Sequence, residues 1–394
     1  MLQILLAIIA LPPVILSTCF AVEVLAGLRP LGTRAASSAS APEPASAIVI
    51  VPAHNEEASI AATVEALGAE AEGIAELLVV ADNCSDRTAQ LARAAGARVI
   101  VRNDSDRRGK GFALAFAREE LSKAPPAVVL IIDADCRIDR AGLRALIDAA
   151  ITRSGPVQAV NLLRPDLGAA PFVQVSNFAF MLRNLVRQRG LQRLAGRVHL
   201  TGTGMAFPWT LFCEADLGGA SIVEDLNLGV SLAAKGHPAV LIEDANVWSA
   251  AASAKDTLQQ RERWEGGFLT NALPVGISGL WRSLARFDGR GMVAAIDLCI
   301  PPLVVLGLLD VAALVVLGLA AALSGITYPL IAALVASASA GFAVFLAWLC
   351  EGRAFASLGA IASIPIYAAR KLPIYARLLI RGAPRDWVRT DRVQ

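Results

Sequence analysis

From Leu2 to Leu28 the chain carries a single charged residue, Glu23. An apolar run of that length fits a bilayer better than a soluble core. Two further runs lie near the C-terminus: Met292 to Leu323, interrupted only by Asp297 and Asp310, and Tyr328 to Cys350, which has no charge. Composition agrees, with 55% hydrophobic residues, 18% charged and a mean hydropathy of +0.56. No basic segment precedes Leu2, and Pro12, Pro13 and Glu23 interrupt the first run, which favours a retained anchor over a cleaved signal peptide. Ala354 to Ala369 is short for a span, at about 16 residues. Were it to cross, the basic tail from Arg370 to Arg392 would lie outside, against the usual charge bias. It therefore reads as interfacial or re-entrant. The expected topology is a multi-pass protein of the cell membrane, with the N-terminus outside and the middle of the chain and the basic tail in the cytoplasm. Membrane lipids are then obligatory partners.

Between the anchor and the later spans the pattern changes. After the anchor (1–28), residues 29–46 are small and rich in Pro, Ser and Ala, a linker. From Ala47 short β-branched runs alternate with helical stretches: AIVIV, ELLVVA, ARVIV and AVVLII, each followed by a helix. That alternation predicts an α/β block with a mostly parallel sheet over 47–270, flanked by transmembrane helices. An interfacial segment (271–291), two spans (292–350) and a segment with the basic tail (351–394) complete the chain. The net charge of +2 gives no support for a nucleic-acid partner. The six cysteines form no CxxC pair and read as reduced thiols.

Ligands of open α/β sheets bind at the C-terminal ends of the strands, so polar residues closing an apolar run are the candidates. Val51 to Glu57 closes the first run and opens a helix; a proline turn explains it equally well. Asp82 closes the second run and can accept hydrogen bonds from a base or ribose, while Ser85 and Asp86 fit an ordinary helix cap. Asp133-Ala134-Asp135 follows Val128 to Ile132; two carboxylates spaced this way can share a divalent cation with a diphosphate. The aspartyl-phosphatase pattern that also starts with DxD wants Thr or Val where Arg137 stands. Arg107 to Gly111 lacks the endings of both nucleotide-loop fingerprints, leaving Lys110 as a basic helix entrance suited to phosphate. Thr201 to Met205 offers small residues for close backbone approach. Glu224 and Asp225 open an amphipathic helix, as dipole partners or as a general base. Gln260, Arg263 and Trp264 share one helical face, which is either core or a surface for a sugar and a diphosphate.

In this order and spacing, Asp82, Asp133-x-Asp135, Glu224-Asp225 and Gln260-x-x-Arg263-Trp264 resemble the family 2 glycosyltransferases. The resemblance is to their membrane-integrated branch of cellulose, chitin and hyaluronan synthases and ceramide glucosyltransferases. It covers roughly residues 47 to 270, the flanking apolar runs match in arrangement, and Trp387 to Thr390 looks like the cytosolic end of such enzymes. Val223 stands where the family usually has Thr. The resemblance implies a GT-A fold and an inverting transfer from a nucleotide-sugar donor, a UDP-sugar, to a lipid or glycan acceptor. It implies that Asp82 holds the uridine and that Lys110 and Glu224 line the donor site. Asp133 and Asp135 would bind the diphosphate with Mg²⁺ or Mn²⁺, and Asp225 would deprotonate the acceptor hydroxyl. Gln260, Arg263 and Trp264 would hold the acceptor sugar and the leaving diphosphate. A processive polysaccharide synthase and a catalytically silent scaffold subunit are the alternatives; few spans weigh against the first and the full set of carboxylates against the second.

Overall fold

A computed structural model describes residues 1–32, 46–218, 224–250 and 254–381, with side chains except those of 254–264, 269 and 378–381. The chain divides into two compact units. One comprises Pro30–Arg164 and Arg197–Ala250; the other comprises Met1–Arg29, Pro165–Gly196 and Ala251–Val393.

The first unit is built on one eight-stranded sheet. Its strands are β1 (Ala47–Ala53), β2 (Glu76–Asp82), β3 (Arg98–Arg102), β4 (Val128–Ile131), β5 (Cys136–Arg137), β6 (Val157–Leu163), β7 (Met205–Pro208) and β8 (Val240–Ser249). The order is β3-β2-β1-β4-β7-β6-β8-β5. β3, β2, β1 and β4 run parallel, and β6 and β8 run parallel to each other. β7 is antiparallel to both β4 and β6, and β5 to β8. Strands buried on both faces read as continuous apolar runs rather than as alternating ones, and Val49, Ile50 and Val51 have no exposed surface. Side chains still alternate across the sheet. Val49 and Val51 join a core with Ile60, Val64 and Leu67 of the helix Ile60–Ala71 and Leu143 and Leu146 of the helix Arg140–Arg153. The helix Lys110–Leu121 buries Ala113, Leu114 and Ala117. Asp139 caps Arg140–Arg153, accepting from the Gly142 N–H at 2.7 Å.

Among the described residues of the other unit, three helices are long and apolar enough to cross a membrane: Leu2–Gly27, Leu303–Ser324 and Tyr328–Cys350. Leu6 and Ala10 of the first pack with Leu317 and Ala333 of the other two. The run expected to be continuous from Met292 is broken at Pro301 and Pro302, which lack the N–H that a helix interior needs. A separate helix, Gly289–Cys299, precedes the break. Asp297 and Asp310, the two charges in that run, are both buried. Asp310 accepts from Ser17 Oγ at 2.8 and 2.9 Å. Asp297 pairs with Arg187, whose Nε lies 2.8 Å from Glu23 Oε2. Beyond Cys350, the helices Leu358–Ala362 and Ile364–Arg381 fall outside the set able to span; the second carries Arg370, Lys371 and Arg377.

Candidate active site

The parallel strands end on one edge of the sheet, and there two loops interlock. Asn55 and Asn83 both take positive φ, 54° and 50°, a conformation that asparagine tolerates better than most residues. Asn55 Oδ1 accepts from the Ser85 N–H at 2.8 Å, and the Glu56 N–H donates to Thr88 Oγ1 at 2.7 Å. Ser85 and Asp86 thus serve the loop: Asp86 accepts from the Thr88 and Glu57 N–H groups. Asp82, at the end of β2, is buried. Its Oδ1 accepts from Arg102 Nη1 at 2.6 Å, across the register from β3, and from Asn83 Nδ2 at 3.0 Å.

Lys110 is the first residue of its helix, after Gly109. Its ammonium contacts Asp133 Oδ1 and donates to the Gly202 carbonyl at 2.7 Å. Asp133 and Asp135 occupy the turn between β4 and β5. The Asp133 N–H donates to Thr203 Oγ1 at 3.1 Å, and the Gly204 N–H to the Ile131 carbonyl at 2.9 Å, which lays the Thr201–Gly204 loop along the end of β4. Glu224 and Asp225 open the helix Glu224–Ala234. Gly202 sits between Asp225 and Lys110: a Cβ there would lie 3.2 Å from Asp225 Oδ2 and 3.8 Å from Lys110 Nζ. At Gly111 a Cβ would come within 2.6 Å of Glu224 Oε2, so no larger residue fits while the carboxylate stays. The structure therefore brings Lys110, Asp133, Glu224 and Asp225 into one cluster, with Asp135 two residues from Asp133.

The electrostatics follow from partial burial of three carboxylates around one ammonium. Burial pushes Glu224 up to about 7, against the pull of Lys110 and the Gly111 N–H. Burial also raises Asp225, although the Leu226 N–H, 2.9 Å from its Oδ1, favours the charged form. Burial alone would lower Lys110, but Asp133, Glu224 and Asp225 outweigh it and the ammonium is held above its usual value. The side chains fit a hard divalent cation. Ligand atoms of Asp133, Asp135 and Cys136 lie within 4.8 Å of one another. The buried Cys136 thiol faces Asp135 Oδ1 at 3.4 Å, leaving two oxygen donors. Mg²⁺ and Mn²⁺ prefer oxygen, and diphosphate and water complete such a shell. The ammonium on Asp133 marks the place as one that holds positive charge.

Two residues of this site, Arg102 and Gln158, escape a reading of the chain by motif. Arg102 holds Asp82, while Thr203, within the small-residue stretch Thr201 to Met205, holds the backbone of Asp133. Gln158, 1% exposed, accepts from the Thr201 N–H at 2.9 Å and donates to the Thr203 carbonyl at 2.8 Å. A glutamine inside the apolar strand VQAVNLL was the available signal, because a buried amide must find partners. Thr201 Oγ1 is buried with no partner among the described residues. The side chains of Gln260, Arg263 and Trp264, on the helix Ala254–Ala285, and Val223 lie outside those described.

Comparison with known proteins agrees with this architecture. A mannosyltransferase from Pyrobaculum calidifontis, PcManGT, solved with GDP-Man and Mn²⁺, superposes with a TM-score of 0.51 over 95% of each chain at 19% identity, showing a GT-A-like fold. Glycosyltransferase AglJ of Haloferax volcanii is 33% identical over 107 residues, 27% of this chain and 33% of that protein, so the match spans about a third of that relative's length. Residues 44–267, more than half of the chain, match the family model described as glycosyltransferase like family 2, and the chain is a glycosyltransferase of that family.

Proposed function

We propose that this glycosyltransferase belongs to the membrane-integrated branch of its family and transfers a sugar, with inversion, from a UDP-sugar to a lipid acceptor at the cytoplasmic face of the membrane. The observation that carries the reading is the cluster of Lys110, Asp133, Glu224 and Asp225 at the C-terminal edge of the parallel strands. Asp225 is the base. Burial raises its affinity for a proton, which suits removal of one from an acceptor hydroxyl as that oxygen attacks the anomeric carbon. Lys110 meets the diphosphate with positive charge. Glu224 lies against the start of the same helix and keeps Gly111 and Lys110 in register. Asp133 and Asp135 hold Mg²⁺ or Mn²⁺, which when bound neutralises charge on the leaving diphosphate. Asp82 takes the uridine, oriented by Arg102. The family resemblance assigns Gln260, Arg263 and Trp264 to the acceptor sugar and the departing diphosphate. The three apolar helices among the described residues supply too few walls for a polymer channel, which supports a single transfer to lipid over polymerisation.

The test is a panel of radiolabelled UDP-glucose, UDP-galactose, UDP-N-acetylglucosamine and GDP-mannose, each given to purified protein with native lipid extract. Label passing from a UDP-sugar into the organic phase is expected; label retained in an insoluble polymer, or transfer from GDP-mannose alone, overturns the corresponding part of the reading. Asp225→Asn should abolish transfer with donor affinity nearly unchanged. Turnover of that variant within about tenfold of wild type removes Asp225 from the role of base.

A further inference from the structure

Lys371 is 1% exposed, on the helix Ile364–Arg381. Its ammonium contacts Glu265 Oε1, and the Tyr375 hydroxyl, one turn further on, donates to Glu265 Oε2 at 2.7 Å. Nζ also lies 4.9 Å from the centre of the Tyr367 ring. A buried ammonium is tolerated only with a fixed partner, so this contact sets both the rotation and the register of the helix that carries Glu265. That helix is Ala254–Ala285, and Glu265 directly follows Trp264. At 3.6 residues per turn, Glu265 falls about 150° from the centre of the arc occupied by Gln260, Arg263 and Trp264. The same side of the helix is held again one turn later. Phe268, 5% exposed, lies under the Arg183 guanidinium at 4.4 Å, and Ala272 is fully buried.

We propose that Lys371, Glu265 and Tyr375 form a positioning cluster that fixes the helix of Gln260, Arg263 and Trp264 about its axis. Acceptor transfer then depends on a lysine more than 100 residues away in the chain. The inference rests on the acceptor role given above to Gln260, Arg263 and Trp264. The cluster touches no substrate; it acts through the rotation of one helix. Removing it should therefore lower turnover while sparing the uridine side of the donor site.

Removing one charge alone strands the other in a buried place, so the informative variants change both. Glu265→Gln/Lys371→Met should stay folded, with kcat down by about tenfold or more and with the affinity for UMP, which lacks the departing diphosphate, within about threefold. The charge swap Glu265→Lys/Lys371→Glu should recover turnover to within about threefold of wild type. Transfer to native lipid extract supplies kcat, and titration calorimetry with UMP supplies the uridine side of the donor site. A folded neutral pair with kcat within about threefold of wild type overturns the proposal, as does one in which kcat and UMP affinity fall in step. If the neutral pair does not fold, the swap decides: turnover recovered supports the cluster, turnover lost in a protein that still binds UMP overturns it. Arg263→Ala separates the two readings. Wild-type turnover in that variant removes the acceptor role of the helix, whereas loss there with an indifferent neutral pair removes only the positioning cluster.

Discussion

Glu224 and Asp225 are neighbours in sequence with separate consequences, because burial acts on each against different partners. Glu224 titrates near 7 instead of 4.5. Between those values the folded chain keeps a proton that the unfolded chain has lost, so stability falls as pH rises from 4.5 to about 7 and is level above it. Glu224→Gln cannot titrate. The loss of melting temperature between about pH 5 and about pH 8 should therefore be smaller in that variant, measured without nucleotide or metal, and an equal loss in both proteins refutes the assignment. For Asp225 the same direction acts on rate: the base form appears only above the ordinary value of 3.8, so kcat/KM should fall on acidification with a midpoint above that value. Asp135 belongs to the metal question. Asp135→Ala removes one of two oxygen donors in the turn after β4. It should raise the Mn²⁺ concentration needed for half-maximal activity and weaken nucleotide-sugar binding. An unchanged Mn²⁺ titration, or wild-type activity indifferent to EDTA, sinks the metal role.

At the scale of elements, what the sequence displayed was whatever depends on local pattern. The parallel strands ending at Ala53, Asp82, Arg102 and Ile131 are apolar runs bounded by polar residues; Asp82 and Asp133 were legible as candidates because they sit at such boundaries, Lys110 and Asp225 because they open helices. β7 was not legible. It has four residues, follows the small loop Thr201–Gly204 and enters the sheet antiparallel between β4 and β6, a pairing set by contacts far apart in sequence. The partners of Glu23, Asp297 and Arg187 were equally hidden, because no periodicity relates residues on three separate segments. Their geometry makes a prediction about the element they join. Arg187→Met leaves two buried carboxylates facing each other without the guanidinium between them, a loss of about 3–5 kcal/mol. The melting temperature in detergent should drop steeply. The apolar set Glu23→Leu/Arg187→Met/Asp297→Leu should restore most of it, because an apolar replacement of a whole buried ionic group is close to neutral. A single variant as stable as wild type would show that the guanidinium does not hold these segments together.

For the whole molecule, the charges beside the apolar helices predict which side of the membrane each part faces. Three candidate spans, Leu2–Gly27, Leu303–Ser324 and Tyr328–Cys350, place the residues joining the last two opposite the sheet-bearing unit if all three cross. Charge gives the direction. Arg29 follows the first helix, and Arg282, Arg286 and Arg290 precede the second. Arg353, Arg370, Lys371 and Arg377 follow the third, whereas Ser324 to Thr327 carries no charge. Positive residues near the ends of spans stay in the cytoplasm, and so does the pool of nucleotide sugars that the proposed reaction needs. In a background lacking the six native cysteines, a cysteine at Ser324 should react with a membrane-impermeant thiol reagent in intact cells. One at Ser105, in the sheet-bearing unit, should react only after lysis. Labelling of position 105 in intact cells would put the site outside and exclude a cytoplasmic donor. Protection at both positions would mean that Leu303–Ser324 and Tyr328–Cys350 enter and leave from the same face without crossing. The sheet-bearing unit would then be held by one span rather than three, and the case against a polymer channel, which rests on how few helices cross, would grow stronger.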